Sequence, residues 1–135
     1  MVLIVCVDDH NGMMFNHRRQ SQDRILRADI LELTDGKKLW MNAYSRKQFA
    51  ESDAEKIRVD ETFLDAAGDG EFCFVENADV SGCVERIEEI YLYRWNRDYP
   101  ADVYFPVDLS VCKCVETKEF AGSSQQKITS ERYTC

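Results

Sequence analysis

A continuous apolar run near the start of the chain, Val2-Leu-Ile-Val-Cys-Val7, does most to limit what this sequence can become. Six residues is strand length, and apolar side chains at both odd and even positions leave no face for water. The run therefore predicts a strand covered on both sides, which needs a layered α/β architecture. Asp8-Asp-His-Asn-Gly12 closes it with turn chemistry, Asn11 and Gly12 suiting positive φ. The run is far short of the ~20 residues that span a bilayer. The two aspartates after it deny it the shape of a signal peptide, so the expectation is a soluble, cytoplasmic protein.

The rest of the chain alternates strand and helix signals for about two-thirds of its 135 residues. Ser21 is read as the cap of a helix carrying Ile25, Leu26, Ile30 and Leu33 on one face, ended at Thr34-Asp-Gly-Lys37. Lys38–Met41 reads as a short strand, and Ser45 as the cap of a short helix holding Phe49. Ile57–Val59 is a minimal strand, with Asp60 capping a helix of Phe63, Leu64 and Ala67 before Gly68. Glu71–Val75 and Glu89–Trp95 are strands, the latter built of β-formers throughout. Val111–Phe120 and Lys127–Thr134 alternate like a hairpin around Ala121-Gly-Ser-Ser124. Met13, Met14 and Phe15 read as exposed or lid-like. The expected fold is a single mixed α/β domain over residues 1–135, with a mainly parallel sheet, flanking helices and a C-terminal antiparallel β-hairpin.

Charge and cysteine content narrow the function. Asp and Glu number 25 against 17 Lys and Arg, for a net charge of −8, so non-specific nucleic-acid binding is disfavoured. His17 to Arg27 runs against that balance: Arg18, Arg19, Arg24 and Arg27 against Asp23 give +3, leaving −11 elsewhere. Such a basic island can focus an anionic ligand, or simply be a solvated helix flank. The six cysteines read as core or half-buried thiols of a reduced compartment rather than a disulfide framework. Cys112-Lys113-Cys114 places two thiols on one strand face, too close for a structural zinc pair. Two histidines, His10 and His17, cannot furnish the histidine-rich cluster of a two-metal nuclease, so no metal is expected. The aromatic residues Trp40, Tyr91, Tyr93, Trp95 and Tyr99 read as packing rather than a base-stacking platform.

The strings Val5-Cys-Val-Asp-Asp-His-Asn-Gly12, Lys38-Leu-Trp-Met-Asn-Ala-Tyr-Ser45, Glu71-Phe-Cys-Phe-Val-Glu-Asn77, Ile87-Glu-Glu-Ile-Tyr-Leu92 and Asp102-Val-Tyr-Phe-Pro106, in this order, resemble dihydrofolate reductase. The resemblance implies that family's fold, hydride transfer from NAD(P)H, and a cleft between the loop 11–22 and the strand ends near Met41 and Val75. Its cofactor side would carry Met41, Ser45, Val75 and Glu76. Its substrate side would carry Asp23 as the carboxylate that supports protonation, with Asp29 as a poorer alternative. Beside it, Cys6 and the guanidinium groups of Arg18, Arg19 and Arg24 are read as contacts for an anionic ligand, the arginines from the basic island, with Arg18-Arg-Gln-Ser21 standing where the family has Leu-Pro-Trp.

The sequence departs from the family where phosphates would lie. Asn42-Ala43 stands for its Gly-Arg, and Glu76-Asn77 for its Gly-Gly, where a carboxylate repels pyrophosphate. Between Phe49 and Ile57 there is no room for its extra helix and strand. Two functions are therefore carried forward. The first is a reductase-like protein that binds a small anionic, nucleotide- or pterin-like ligand, with NAD(P)H as the cofactor the resemblance implies. The alternative is a non-catalytic protein-interaction module that uses segment 17–27. Cys6, inside a buried strand, reads as packing rather than as a nucleophile. Oligomeric state is left open.

Overall fold

The computed structural model describes residues 1–49 and 55–135. The apolar run forms strand β1 (Val2–Val7). Around it, in chain order, come β2 (Gly12–Phe15), β3 (Arg18–Arg19), helix α1 (Arg24–Leu33), β4 (Leu39–Met41), α2 (Ala43–Arg46), β5 (Ile57–Val59), α3 (Phe63–Ala66), β6 (Phe72–Val75), β7 (Glu89–Arg94), β8 (Val103–Tyr104), β9 (Lys113–Phe120) and β10 (Ile128–Thr134). Seven of the strands make one sheet in the order β5-β4-β6-β1-β7-β10-β9. The pairings from β5 to β7 are parallel, while β10 runs antiparallel to both β7 and β9. The mixed, mainly parallel sheet with a terminal hairpin is thus as expected.

β1 lies inside that sheet, and its side chains alternate between two cores. Val2 and Ile4 pack with Leu26 and Ile30 of α1 and with Leu39, Phe74 and Trp95. Leu3, Val5 and Val7 pack on the other side with Phe63, Val75, Ile90 and Leu92. Each fully buried Leu, Ile or Phe contributes about 1.5–3 kcal/mol, which is why this run cannot be moved to an exposed position. At the far side, β9 is the outermost strand and is solvent-exposed from Lys113 to Glu119.

Several local readings are corrected. Met13 and Met14 are only 6% and 2% exposed and belong to the core, so they form no lid. They sit on β2, in a small antiparallel sheet ordered β3-β2-β8. The β2–β3 turn is made by Asn16 (φ 50°) and His17 (φ 63°), two consecutive left-handed residues of the kind that match hairpin twist. The cap of α1 is Asp23 rather than Ser21, and the cap of α2 is Asn42 rather than Ser45. Asp60 accepts from Thr62 two residues on instead of capping α3 directly.

The cysteine expectation also changes. Cys112 and Cys135 form a disulfide with Cα atoms 4.3 Å apart, while Cys6, Cys73, Cys83 and Cys114 are free. The register Tyr133↔Cys114, Thr134↔Lys113 puts Cys135 opposite Cys112 at the next step, so the bond closes the hairpin across its two strands. The stretch 50–54, part of the segment read as too short for the reductase family's extra helix and strand, lies outside the described residues. No helix among the described residues is long and apolar enough to cross a membrane.

Candidate functional site

In the parallel part of the sheet, the carboxyl ends of β1 and β6 lie side by side, since Val5 is in register with Val75. Open α/β sheets place ligands at such ends. Here the position is lined by Cys6, Val75 and Glu76 from the strands, Met13 and Arg19-Gln20-Ser21 from the small sheet and its exit, Leu26 from α1, and Gln48, Phe74 and Trp95. The cavity they enclose is about 10 Å³, room for roughly one water molecule.

Its centre is an ion pair. Arg19 donates from Nε to Glu76 Oε2 at 2.8 Å and from Nη2 to Glu76 Oε1 at 3.0 Å. This is the bidentate fork that fixes a guanidinium against a carboxylate. Ser45 Oγ donates to Glu76 Oε1 at 2.9 Å. The Arg19 backbone N–H donates to the Tyr44 hydroxyl at 2.9 Å, and the guanidinium lies 4.5 Å from the centre of the Tyr44 ring. Burial pulls the Arg19 pKa down, but the hydrogen bond and charge of Glu76 outweigh it, so the cation is held more firmly than usual. Burial pushes the half-buried Cys6 thiol up, and the Glu76 carboxylate pushes it the same way. A thiol held protonated is a poor nucleophile.

The three candidate arginines of the basic island, Arg18, Arg19 and Arg24, do not converge. Arg18 and Arg19 are neighbours on β3, where successive side chains point to opposite faces, and only Arg19 reaches the cavity. Arg18 and Arg24 are exposed and form no ion pair among the described residues. Asp23 does not line the cavity either. Its Oδ1 accepts from the Ile25 and Leu26 N–H groups, and its Oδ2 accepts from Ser124 N, Ser124 Oγ and Gln125 N. Burial alone would raise its pKa, but these donors hold it well below the ordinary carboxylate range. The α1 side chain that does face the cavity is Leu26, which cannot exchange a proton. Asp29, the poorer alternative, accepts from the Tyr93 hydroxyl and from Lys118 Nζ, both at 2.7 Å, beside a different cleft.

On the cofactor side, Ser45, Val75 and Glu76 come together, whereas Met41 is fully buried in the core packed against α1. The residues present do not fit a dinucleotide. The Ala43 N–H at the start of α2 donates to Glu61 Oε2 at 2.9 Å, and the Ser45 N–H to Asn42 Oδ1 at 3.0 Å. The Ser81 N–H after β6 donates to Asp79 Oδ1. Backbone donors that would hold a pyrophosphate already hold the protein's own acceptors, two of them carboxylates, and the Glu76 carboxylate on Ser45 Oγ adds a further negative charge at α2.

Sequence reasoning missed Tyr44, Gln20, Gln48 and Asp8. Asp8 is 1% exposed, and it accepts from the N–H groups of His10, Gly12 and Tyr99 and from Gln20 Nε2. It thereby ties the end of β1 to the start of β2. An acid directly after a buried strand was the available signal, and it was read only as turn chemistry. Gln20 and Gln48 carried no signal.

No protein-family model matches the chain, and no curated protein aligns with it securely. Among solved structures, a dihydrofolate reductase from Enterococcus faecalis, complexed with NADP(H) and RAB-propyl, superposes with a TM-score of 0.68 at 13% identity. The match covers 98% of this chain and 94% of that one. The chain therefore has the dihydrofolate-reductase-type fold; at this identity the likeness is one of fold.

Proposed function

We propose that this is a non-catalytic protein of dihydrofolate-reductase-type fold, acting as an interaction module whose basic segment 17–27 meets an acidic surface of a protein partner. The observation that carries the reading is the Arg19–Glu76–Ser45 cluster. It fills the strand-end position with the chain's own charges and leaves about 10 Å³, where small-molecule sites commonly offer about 300–1,000 Å³. Hydride transfer of the reductase type finds no acid on α1 facing the cavity. Arg18 and Arg24, by contrast, present their charge to solvent on an otherwise acidic molecule, an arrangement that steers a complementary partner.

The test is a titration of the purified protein with NADPH, NADH, folates, flavins and nucleotides, by calorimetry and thermal shift. A ligand at about 100-fold over its Kd adds about 2.7 kcal/mol of stability; the expected result is no shift. Labelled poly-L-glutamate serves as the acidic probe, and its salt-sensitive binding should vanish in Arg18→Glu/Arg24→Glu. Thermal stabilisation by any member of the small-molecule panel overturns the non-catalytic reading, and failure of the acidic probe to bind overturns the docking surface.

A second reading keeps a small nucleotide- or pterin-like anion at Arg19. It is supported by two residues lining the same cavity that each hold a buried amide atom without a partner, Gln20 (Oε1) and Gln48 (Nε2). It requires Glu76 to swing away from the guanidinium. A shift that appears in the small-molecule panel and disappears in Arg19→Ala selects it.

A further inference from the structure

Away from the filled cleft, three cysteines share the open end of the C-terminal hairpin. The Cys112–Cys135 disulfide joins the positions one step beyond the Thr134–Lys113 pair, and Cys114 lies two residues after Cys112, on β9. Cys112 has extended backbone (φ −104°, ψ 161°), so the period-two alternation carries Cys112 and Cys114 to one face, with Cys114 diagonal to Cys135. The ladder breaks at this point. Arg132 pairs with Glu116 but Tyr133 with Cys114, so Val115 is an extra residue. A bulge of this kind interrupts the hydrogen bonds and re-aims side chains. Cys114 is an exposed free thiol, with its Sγ 3.6 Å from Glu116 O and from Thr117 Oγ1, and Cys135 is exposed as well.

We propose that Cys112, Cys114 and Cys135 form a thiol–disulfide exchange site on the solvent face of the hairpin, open to low-molecular-weight thiols. In the internal step, Cys114 gives its proton to solvent and its thiolate attacks Cys135 Sγ. The Cys114–Cys135 bond forms, the Cys112–Cys135 bond breaks, and the electron pair leaves on Cys112 as a thiolate that takes up a proton. No net oxidation occurs. In the external step, a small thiolate attacks Cys135 in the same way and leaves a mixed disulfide there. Attack by Cys114 then expels that thiol and forms Cys114–Cys135. Diagonal cross-strand Cα atoms stand about 7–8 Å apart, and a disulfide needs about 4.4–6.8 Å. The required shift is of the size that a bulged, exposed edge accommodates.

The test uses the full chain equilibrated with a buffer of glutathione and glutathione disulfide, quenched in acid, alkylated and digested with trypsin. Lys113 lies between Cys112 and Cys114, so the digest separates them. The expected result is a Cys114–Cys135 linked peptide beside the Cys112–Cys135 one, with matching loss of alkylation at Cys114. In Cys112→Ser, Cys114–Cys135 becomes the protein disulfide. Full alkylation of Cys114 in the wild type, together with only glutathione adducts in Cys112→Ser, overturns the proposal.

Discussion

Replacing Asp23 by Asn separates a structural carboxylate from a catalytic one. The side chain accepts five hydrogen bonds, two from the first turn of α1 and three from the β9–β10 turn. An amide keeps one acceptor oxygen. If it caps α1, as Asn does well, its NH2 group faces Ser124 N and Gln125 N, while the Ser124 hydroxyl rotates to accept. Two backbone donors then lose their partner, one of them, Gln125 N, in a buried contact. At about 1–3 kcal/mol for the buried orphan and about 1 for the part-buried one, the loss is about 2–4 kcal/mol, a large part of a total that is usually about 5–15. The assay is urea unfolding followed by circular dichroism at pH 7. The folded-state pKa of Asp23 lies below its unfolded value. Its contribution is therefore fully present above the usual carboxylate range near about 4, and is lost as pH falls through the folded value. The stability gap between wild type and Asp23→Asn should hold steady from neutral pH down to about 5 and narrow below about 4. A gap under about 0.5 kcal/mol at pH 7, or one that does not narrow in acid, refutes the reasoning.

Other consequences are open to measurement. Gly122→Ala would put a Cβ 2.4 Å from Asp23 Oδ2 and 2.9 Å from Ile128 Cδ1, and should cost about 1–3 kcal/mol in the same urea assay. Glu76→Gln leaves Arg19 without its counter-charge and should lower stability by about 1–3 kcal/mol. An unchanged urea midpoint there would mean that the pair contributes nothing. Reducing the Cys112–Cys135 bond, which spans 23 positions, should remove about 3 kcal/mol on the chain-entropy account, visible as a lower denaturation midpoint in dithiothreitol. Iodoacetamide at pH 8 should label Cys114 well before Cys6, whose thiol is held protonated by burial; equal rates by mass spectrometry would contradict that.

The strands of the main sheet were legible because β1, β6 and β7 are apolar or β-forming over a strand's length. The small sheet was not, because two methionines and a phenylalanine between turn residues are too short for any periodicity to register. At the site, Glu76 was read as a charge that a phosphate would avoid. Its actual partner, Arg19, lies 57 positions away, a distance no local pattern spans. Adjacency in sequence misled in the opposite sense: Arg18 and Arg19 looked like a cluster, yet the pleat turns them to opposite sides. The disulfide was missed because composition argued about compartment, while the hairpin register alone brings Cys112 opposite Cys135.

The outermost strand has one more consequence. Its unpaired rim is an invitation for another chain to add on, yet Lys113, Glu116, Lys118 and Glu119 stand along it, and Lys118 and Glu119 are already engaged by Asp29 and Lys127. A foreign strand laid there would strip water from charges it could not all neutralise. Neutralising substitutions at Glu116 and Lys118 would be the ones to turn this border into a seed for fibrils.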